Sequence, residues 1–318
     1  MHATYLFHYG TIAFSVALSS LGVGLGEGLT SLAALKALDI QPSARNEISK
    51  TFILGMALIE TSAVVGLTMA LILLAPLKDL PNLAFVHYAE VGIALAISLS
   101  GIVIGVTSSF PAQEACIAAA RQPFFTQKIQ SIMLLTQSLM QTPIIFAFIV
   151  ALFIKGQMLE AVTFADSMRL IASGLCIGLA SIGPALGLAQ FSRTVCKSVG
   201  VNRDAYPQLL SFTLVSEALI ESPLIFALLV SLILTQVSAS GASELVSAAS
   251  FLGAAFCMGC GTLGTSVASG RVAAKACSQV ALNPQNYAAL ARTSMFGQVL
   301  IETCSIYTLI ISLSLLIL

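Results

Sequence analysis

Apolar residues run along the chain in eight long blocks, roughly 9–38, 47–76, 87–118, 126–155, 166–198, 207–237, 244–281 and 287–318. Each block exceeds the ~20 residues that a helix needs to cross ~30 Å of hydrocarbon. Apolar and polar positions do not alternate over the ~10-residue units of a membrane barrel, so strands are not expected. The pattern predicts an all-α membrane protein with eight transmembrane helices. Short polar stretches link the blocks in pairs, giving four helical hairpins with no linker long enough for a soluble domain. Met1–Tyr9 lacks the basic start of a cleavable signal peptide.

Composition agrees with the pattern. Of 318 residues, 57% are hydrophobic and 9% charged, against about 25% charged in soluble domains. Lys+Arg and Asp+Glu both number 14. A balanced chain without a basic stripe excludes nucleic acid as a partner. Positive residues sort to one side. Arg45, Lys50, Arg121, Lys128, Arg203 and Arg292 lie in or just past the loops after the first, third, fifth and seventh spans. Lys36, Arg193, Lys197, Arg271 and Lys275 lie in the helix ends that lead there. Lys78, Lys155 and Arg169 lie at the other side. The bias predicts cytoplasmic hairpin loops, with both termini on the opposite face.

The hairpins repeat. LGMALIETS (54–62), QSLMQTP (137–143), SEALIESP (216–223) and GQVLIETC (297–304) place Glu60, Gln141, Glu221 and Glu302 at spacings of 81, 80 and 81. Pro42, Pro123 and Pro284 stand 18 residues before three of them, and Arg203 takes that place in the third copy. The repeat divides the chain into 1–80, 81–160, 161–240 and 241–318, the second copy having Gln141 for the carboxylate. Two spans per copy give all four the same orientation, which argues against an inverted-repeat transporter.

The first span of each hairpin carries small residues one turn apart: Gly22/Gly26 and Gly24/Gly28, Gly101/Gly105, Gly183/Gly187, and Gly264 between Cys260 and Ala268. Such rows let helix backbones approach closely in lipid, so inner-helix packing is expected of them. They lack the Lys-Ser/Thr of a phosphate loop.

Glu60 and Glu302 each lie ten residues from the nearest preceding cation, Lys50 and Arg292. That is about 15 Å of helix, near the bilayer midplane. Glu221 shares that depth by repeat symmetry. An acid there costs at least ~2.5–3.5 kcal/mol on insertion scales. Three at matching positions point to ion binding: desolvation disfavours the bare charge, so each carboxyl holds a proton or a cation and releases it where water or a positive partner appears. Gln141 then marks a degenerate site that has kept packing and lost exchange. Thr61, Thr142, Ser222 and Thr303 follow the four focal residues, and Tyr307 lies five beyond Glu302. Glu27 is intramembrane and Glu217 lies one turn before Glu221. These two either share a proton or cation with the focal acids or only hydrogen-bond. No catalytic set is present, so a non-enzymatic chain is expected. His2, His8 and His87 lie near span ends without metal-ligand spacing, and the seven cysteines, Cys257 and Cys260 included, form neither a disulfide framework nor a zinc motif.

A glycine-rich helix, a short polar loop and an apolar helix with a central Glu resemble the rotor-ring proteolipid, the c subunit, of rotary ATP synthases and ATPases. ARQP (120–123) is similar to the F-type loop, GVGLGEG (22–28) to the family's glycine repeat, and IGPALGLA (182–189) to a weaker copy of it. MFGQVLIETCSIYTLIISL (295–313) resembles the outer helix of sodium-type proteolipids, with Glu302 at the ion carboxylate, Thr303 at the hydroxyl ligand and Tyr307 at the supporting tyrosine. The fused hairpins and lost carboxylate resemble vacuolar- and archaeal-type proteolipids, so F-type and V/A-type membership stay open. The resemblance implies a homo-oligomeric ring in a lipid membrane. The first span of each hairpin would lie inside and the second outside. It also implies a stator partner, the a subunit, whose arginine meets each Glu. Central-stalk subunits would dock on the cytoplasmic loops, and no cofactor is implied beyond transported H+ or Na+. Sodium-type rings usually carry an inner-helix Gln; the matching positions here are Glu27, Ser108, Leu188 and Ser269, which tips the reading toward protons. Three acids per four hairpins imply a bias toward ATP-driven pumping. A self-contained secondary carrier or channel is the alternative.

Overall fold

The computed structural model describes residues 2–75, 83–237 and 243–317. Lys78 and the repeat junctions at 80/81 and 240/241 lie outside them, as does the side chain of His2. Eleven α-helices and no strand occur among the described residues: α1 (His2–Ile40), α2 (Arg45–Ile59), α3 (Thr61–Leu74), α4 (Leu83–Thr107), α5 (Ser109–Arg121), α6 (Thr126–Leu139), α7 (Thr142–Gln157), α8 (Phe164–Val201), α9 (Tyr206–Gln236), α10 (Glu244–Leu282) and α11 (Tyr287–Ile317). They form eight spans long and apolar enough to cross a membrane. The chain is thus a multi-pass membrane protein in its architecture. α1, with 39 residues, extends about 58 Å at 1.5 Å per residue, so its ends reach past the hydrocarbon.

Each hairpin turns through a short 3-10 segment: Pro42–Ala44, Pro123–Phe125, Arg203–Ala205 and Pro284–Asn286. Proline opens three of them, where its fixed φ suits the turn and its missing N–H costs no helical bond. Arg203 opens the third. There the Asn202 side chain accepts from Asp204 N–H at 3.1 Å, a local bond that replaces the proline constraint. The loops also stitch neighbours together. Gln122 Nε2 donates to the Gly200 carbonyl at 2.8 Å, and Asn202 Nδ2 to the Ala281 carbonyl at 2.8 Å.

The spans form two layers. In the inner layer α1 packs on α4 and α5, these on α8, and α8 on α10; α2/α3, α6/α7, α9 and α11 form the outer layer. Small residues set the tight inner spacing. A Cβ on Gly22 would fall on the backbone of Ile102, one on Gly26 on the Gly105 carbonyl, and one on Gly101 on Ser19. The same holds for Gly105 against Gly22, Gly183 against Thr262 and Leu263, and Gly187 against Ser266. Gly24, Gly28 and Gly264 depart from the expected packing role: a Cβ on any of them meets nothing within 4 Å. The reason is position. Gly24 and Gly28 lie on the face of α1 away from α4, and Gly264 on the face of α10 away from α8, at the two open edges of the array.

Three of the eight spans are broken rather than continuous, the first pair of outer spans at their focal residues. Glu60 separates α2 from α3, and Met140–Gln141 separate α6 from α7. Pro143 follows at the start of α7 and lacks the N–H that would bond the Leu139 carbonyl. The Thr142 hydroxyl donates to that carbonyl instead, at 2.7 Å. Pro223 sits inside α9, and Ser222 likewise donates to the Leu219 carbonyl at 2.9 Å, but there the helix remains continuous. Ser108 breaks the inner span between α4 and α5.

Candidate ion-binding sites

The four focal positions share one local device. The hydroxyl after each focal residue donates to the carbonyl three residues back: Thr61 to Leu58 at 2.7 Å, Thr142 to Leu139 at 2.7 Å, Ser222 to Leu219 at 2.9 Å and Thr303 to Leu300 at 2.7 Å. A hydroxyl has one proton and two lone pairs. With the proton committed to the backbone, the oxygen is left to accept a proton donor or to ligate a cation.

Around this device the four sites differ. In the first, Glu60 is exposed and its carboxyl lies near that of Glu27 of α1. Two carboxylates placed this close repel each other when both are charged. In the second, Gln141 is buried and donates to the Leu58 carbonyl of the preceding hairpin at 3.0 Å. In the third, Glu221 lies beside Thr142 of the preceding hairpin. One turn earlier Glu217 is fully buried, and its Oε1 accepts from Ser192 of α8 at 3.0 Å. One oxygen on each acid, Oε2 of Glu217 and Oε1 of Glu221, is buried without a hydrogen-bond partner among the described residues. In the fourth, Glu302 is half-buried and its carboxylate has no hydrogen-bond partner among the described residues; Tyr307 is 65% exposed. The structure does not bring Tyr307 and Glu302 together by any hydrogen bond.

Sites two and three therefore lie between consecutive hairpins, Gln141 bonding the backbone of the one before and Glu221 lying beside its Thr142.

Two residues escaped the sequence reading. Gln137 is fully buried and donates to the carbonyls of Gly55 at 3.2 Å and Ser108 at 2.8 Å. Gln298 is buried, accepts from Ser269 at 3.2 Å, and donates to Ser294 at 3.1 Å. Both lie one turn before a focal residue, in register with Glu217. Aligning the repeats at that position, where Met56 stands in the first copy, would have exposed them. Ser108 and Ser269, on the inner spans, touch these glutamines, so a buried amide does occupy two of the sites, but from the outer span. The histidines are a further correction. His8 and His87, which show no metal spacing in sequence, meet at one carboxylate, Glu90.

The profile of the ATP synthase C-subunit family matches residues 11–73, 91–154, 171–234 and 252–315, one match per hairpin. The chain belongs to the ATP synthase C-subunit family. Among its relatives, the ATP synthase c subunit 2 of Cereibacter sphaeroides is 47% identical over 62 residues, covering 20% of this chain and 75% of the relative. The ATP synthase c subunit of Clostridium beijerinckii is 42% identical over 66 residues, covering 20% of this chain and 93% of the relative. A single relative thus spans about one hairpin, and this chain is a four-hairpin fusion of the c subunit. The c subunit is a non-catalytic ring component of the membrane part of the synthase, and it moves ions rather than holding a cofactor.

Proposed function

We propose that this chain is the ion-carrying rotor component of a rotary ATP synthase or ATPase, that it exchanges protons on Glu60, Glu221 and Glu302, and that the Gln141 hairpin is idle. The observation that carries this reading is the recurrence of one focal position in four family repeats, with a carboxyl at three and a committed backbone-bonded hydroxyl beside all four. The Thr142 proton lies on the Leu139 carbonyl, so the Thr142 oxygen has lone pairs to offer a protonated Glu221 beside it. A neutral carboxyl can ride past lipid; a stator arginine then favours its charged form and expels the proton. Glu27 and Glu217 act as secondary acids that share the proton of the neighbouring focal residue. The hairpin loops, which carry most of the positive charge, face the cytoplasm and the central stalk.

Ring formation draws support from the two open edges. By repeat register, the inner face of α10 that meets Gly183 and Gly187 of α8 is Thr262, Ser266 and Gly270. The equivalents on α1 are Ser20, Gly24 and Gly28, all exposed. The equivalents of Gly183 and Gly187 on α10 are Gly264, exposed, and Ala268, partly exposed. A second copy can therefore repeat, between its α1 and this α10, the packing that α8 and α10 already make. A self-contained carrier has no use for two such matched edges.

The test is carbodiimide labelling of the detergent-extracted oligomer, mapped by mass spectrometry across pH and with or without millimolar sodium. Carbodiimide attacks protonated carboxyls in apolar surroundings. Labelling of Glu60, Glu221 and Glu302 that falls as pH rises and ignores sodium is the expected result. Suppression by sodium at constant pH would reassign the ion. Absence of label at all three would remove the rotor reading's physical basis.

A further inference from the structure

One cluster of ligand-bearing side chains stands apart from the focal sites, at the end of the array opposite the hairpin loops. His8 lies near the start of α1, and His87 and Glu90 near the start of α4, 82 residues from His8 to Glu90. His87 and Glu90 are three apart, so one helix face carries both. The two inner spans run in the same direction, which brings their starting turns side by side. His8 Nδ1 lies 3.0 and 2.9 Å from the two Glu90 oxygens, and His87 Nδ1 lies 3.1 Å from Oε2. The ligand atoms of all three lie within 4.8 Å of one another. The Glu90 side chain is fully buried, that of His87 is 2% exposed and that of His8 is 14% exposed. Phe7 and Tyr88 stack edge-to-face at 5.1 Å beside the cluster.

We propose that His8, His87 and Glu90 form a divalent transition-metal site, best suited to Zn2+, that clamps α1 to α4. Two imidazole nitrogens and a carboxylate oxygen are the ligand set of a three-protein-ligand zinc centre, with water completing the tetrahedron. Zinc bonds of about 2.0–2.2 Å place tetrahedral ligands about 3.3 Å apart; the imidazole–carboxylate separations of 2.9–3.1 Å need only small outward shifts, and the two imidazole nitrogens already lie within 4.8 Å of each other. The metal would replace the proton that each imidazole now shares with Glu90. Its route is past His8, the more exposed ligand. Lys155 of α7 also lies within Coulombic reach of Glu90, so an incoming cation shares the carboxylate with an ammonium. A metal that bonds directly to imidazole tolerates that neighbour. Na+, Mg2+ and Ca2+, which take oxygen ligands, gain nothing from the two nitrogens. The cluster has no counterpart in the other hairpins: the repeat positions of His8 are Ala89 and, two copies on, Arg169, so the clamp is single per chain. It also leaves the focal glutamates untouched, so it is independent of the rotor reading.

The experiment loads the purified, metal-stripped oligomer with Zn2+ and counts bound metal after desalting, then repeats the loading with Co2+ and records its absorption spectrum. The expected result is one Zn2+ per chain in the native protein and none at this stoichiometry in His8→Asn or Glu90→Gln. The Co2+ spectrum should show ligand-field bands of a nitrogen–oxygen site. Equal zinc in the native protein and in Glu90→Gln would overturn the proposal, and so would a thiolate-to-cobalt charge-transfer band, which would place the metal on a cysteine. A second readout needs no variant. Zn2+, but not Ca2+, should slow proteolysis of the chain before Gly10 in the native oligomer, and no difference between the two ions would equally overturn the clamp.

Discussion

Gln141 occupies a carboxylate's place and shows what that place requires apart from charge. Its amide nitrogen reaches the Leu58 carbonyl at 3.0 Å, while its oxygen is buried without a partner among the described residues. A protonated glutamic acid can make the same donation through its O–H. Gln141→Glu should therefore fold and assemble as the native chain does, and carbodiimide should then label a fourth position, with the same loss at high pH. A native-like oligomer in which Glu at 141 stays unlabelled would show that the second site is closed to exchange for another reason. Glu217 gives a second test at this scale. Ser192 supplies its one hydrogen bond among the described residues, and both are fully buried. Ser192→Ala should destabilise the oligomer by about 1–3 kcal/mol, the cost of an unsatisfied buried polar group. Glu217→Gln should change it little, since Gln137 and Gln298 fill the same register position. Detergent-denaturation midpoints of the three proteins would check the order. The focal acids were legible in the sequence because the repeat made three costly residues coincide. The second acids, Gln137 and Gln298 were less legible, because their role depends on which inner-span side chain faces them. The meeting of His8 with Glu90 was not legible at all: no repeat relates them, and only the lateral packing of α1 on α4 brings them together.

At the scale of elements, hydropathy sufficed for eight spans and the proline register for the loops, since length, polarity and fixed φ are local properties. The break at Glu60 was not visible, as no proline follows it, whereas the break at Ser108 has its signal in Pro111, whose missing N–H leaves the Thr107 carbonyl without a helical bond. The glycines were only half legible. Sequence spacing marks Gly22/Gly26 and Gly24/Gly28 as equal rows, but half a helical turn separates them, and only one row can face α4. Substitution should split the two rows by sign. Gly187→Ala puts a Cβ on the Ser266 backbone, where neither helix can yield cheaply, and overpacking of that kind costs about 1–3 kcal/mol. Gly24→Ala meets open space in the chain and gains up to about 1 kcal/mol of helix propensity. Thermal unfolding of the detergent-solubilised single chain should place Gly187→Ala below the native protein and Gly24→Ala level with it or above.

For the whole molecule the same glycine changes meaning, because an edge open in one chain is an interface in a closed ring. Leucine at Gly24 or at Gly264 should leave the four hairpins folded and stop the rings closing, which native mass spectrometry would read as loss of the large oligomer with survival of the single chain. Asn283 belongs to the same seam. Its counterparts Gln122 and Asn202 donate to the end of the next inner helix, while Gln41 bonds Ser43 within its own loop; by the register of the first two, the Asp39 carbonyl of a second copy is the acceptor expected of Asn283. Closure of identical chains then fixes the energetics. On the proposed reading every four hairpins carry three exchangeable acids, so a full turn would move three quarters of the ions of an undegraded ring of equal size. Each charge crossing 100 mV is worth about 2.3 kcal/mol. With fewer ions per turn, a given membrane potential delivers less work toward ATP, while hydrolysis of the same ATP drives each ion against a steeper gradient. The native rotor should thus favour pumping, and Gln141→Glu should shift it toward synthesis by raising the ions carried per ATP by about a third, on the same per-charge scale. Measuring ion flux against ATP turnover in reconstituted vesicles decides the matter. An unchanged ratio in a fully assembled, fourfold-labelled Gln141→Glu ring would mean that the hairpin count, not the carboxyl count, sets the stoichiometry.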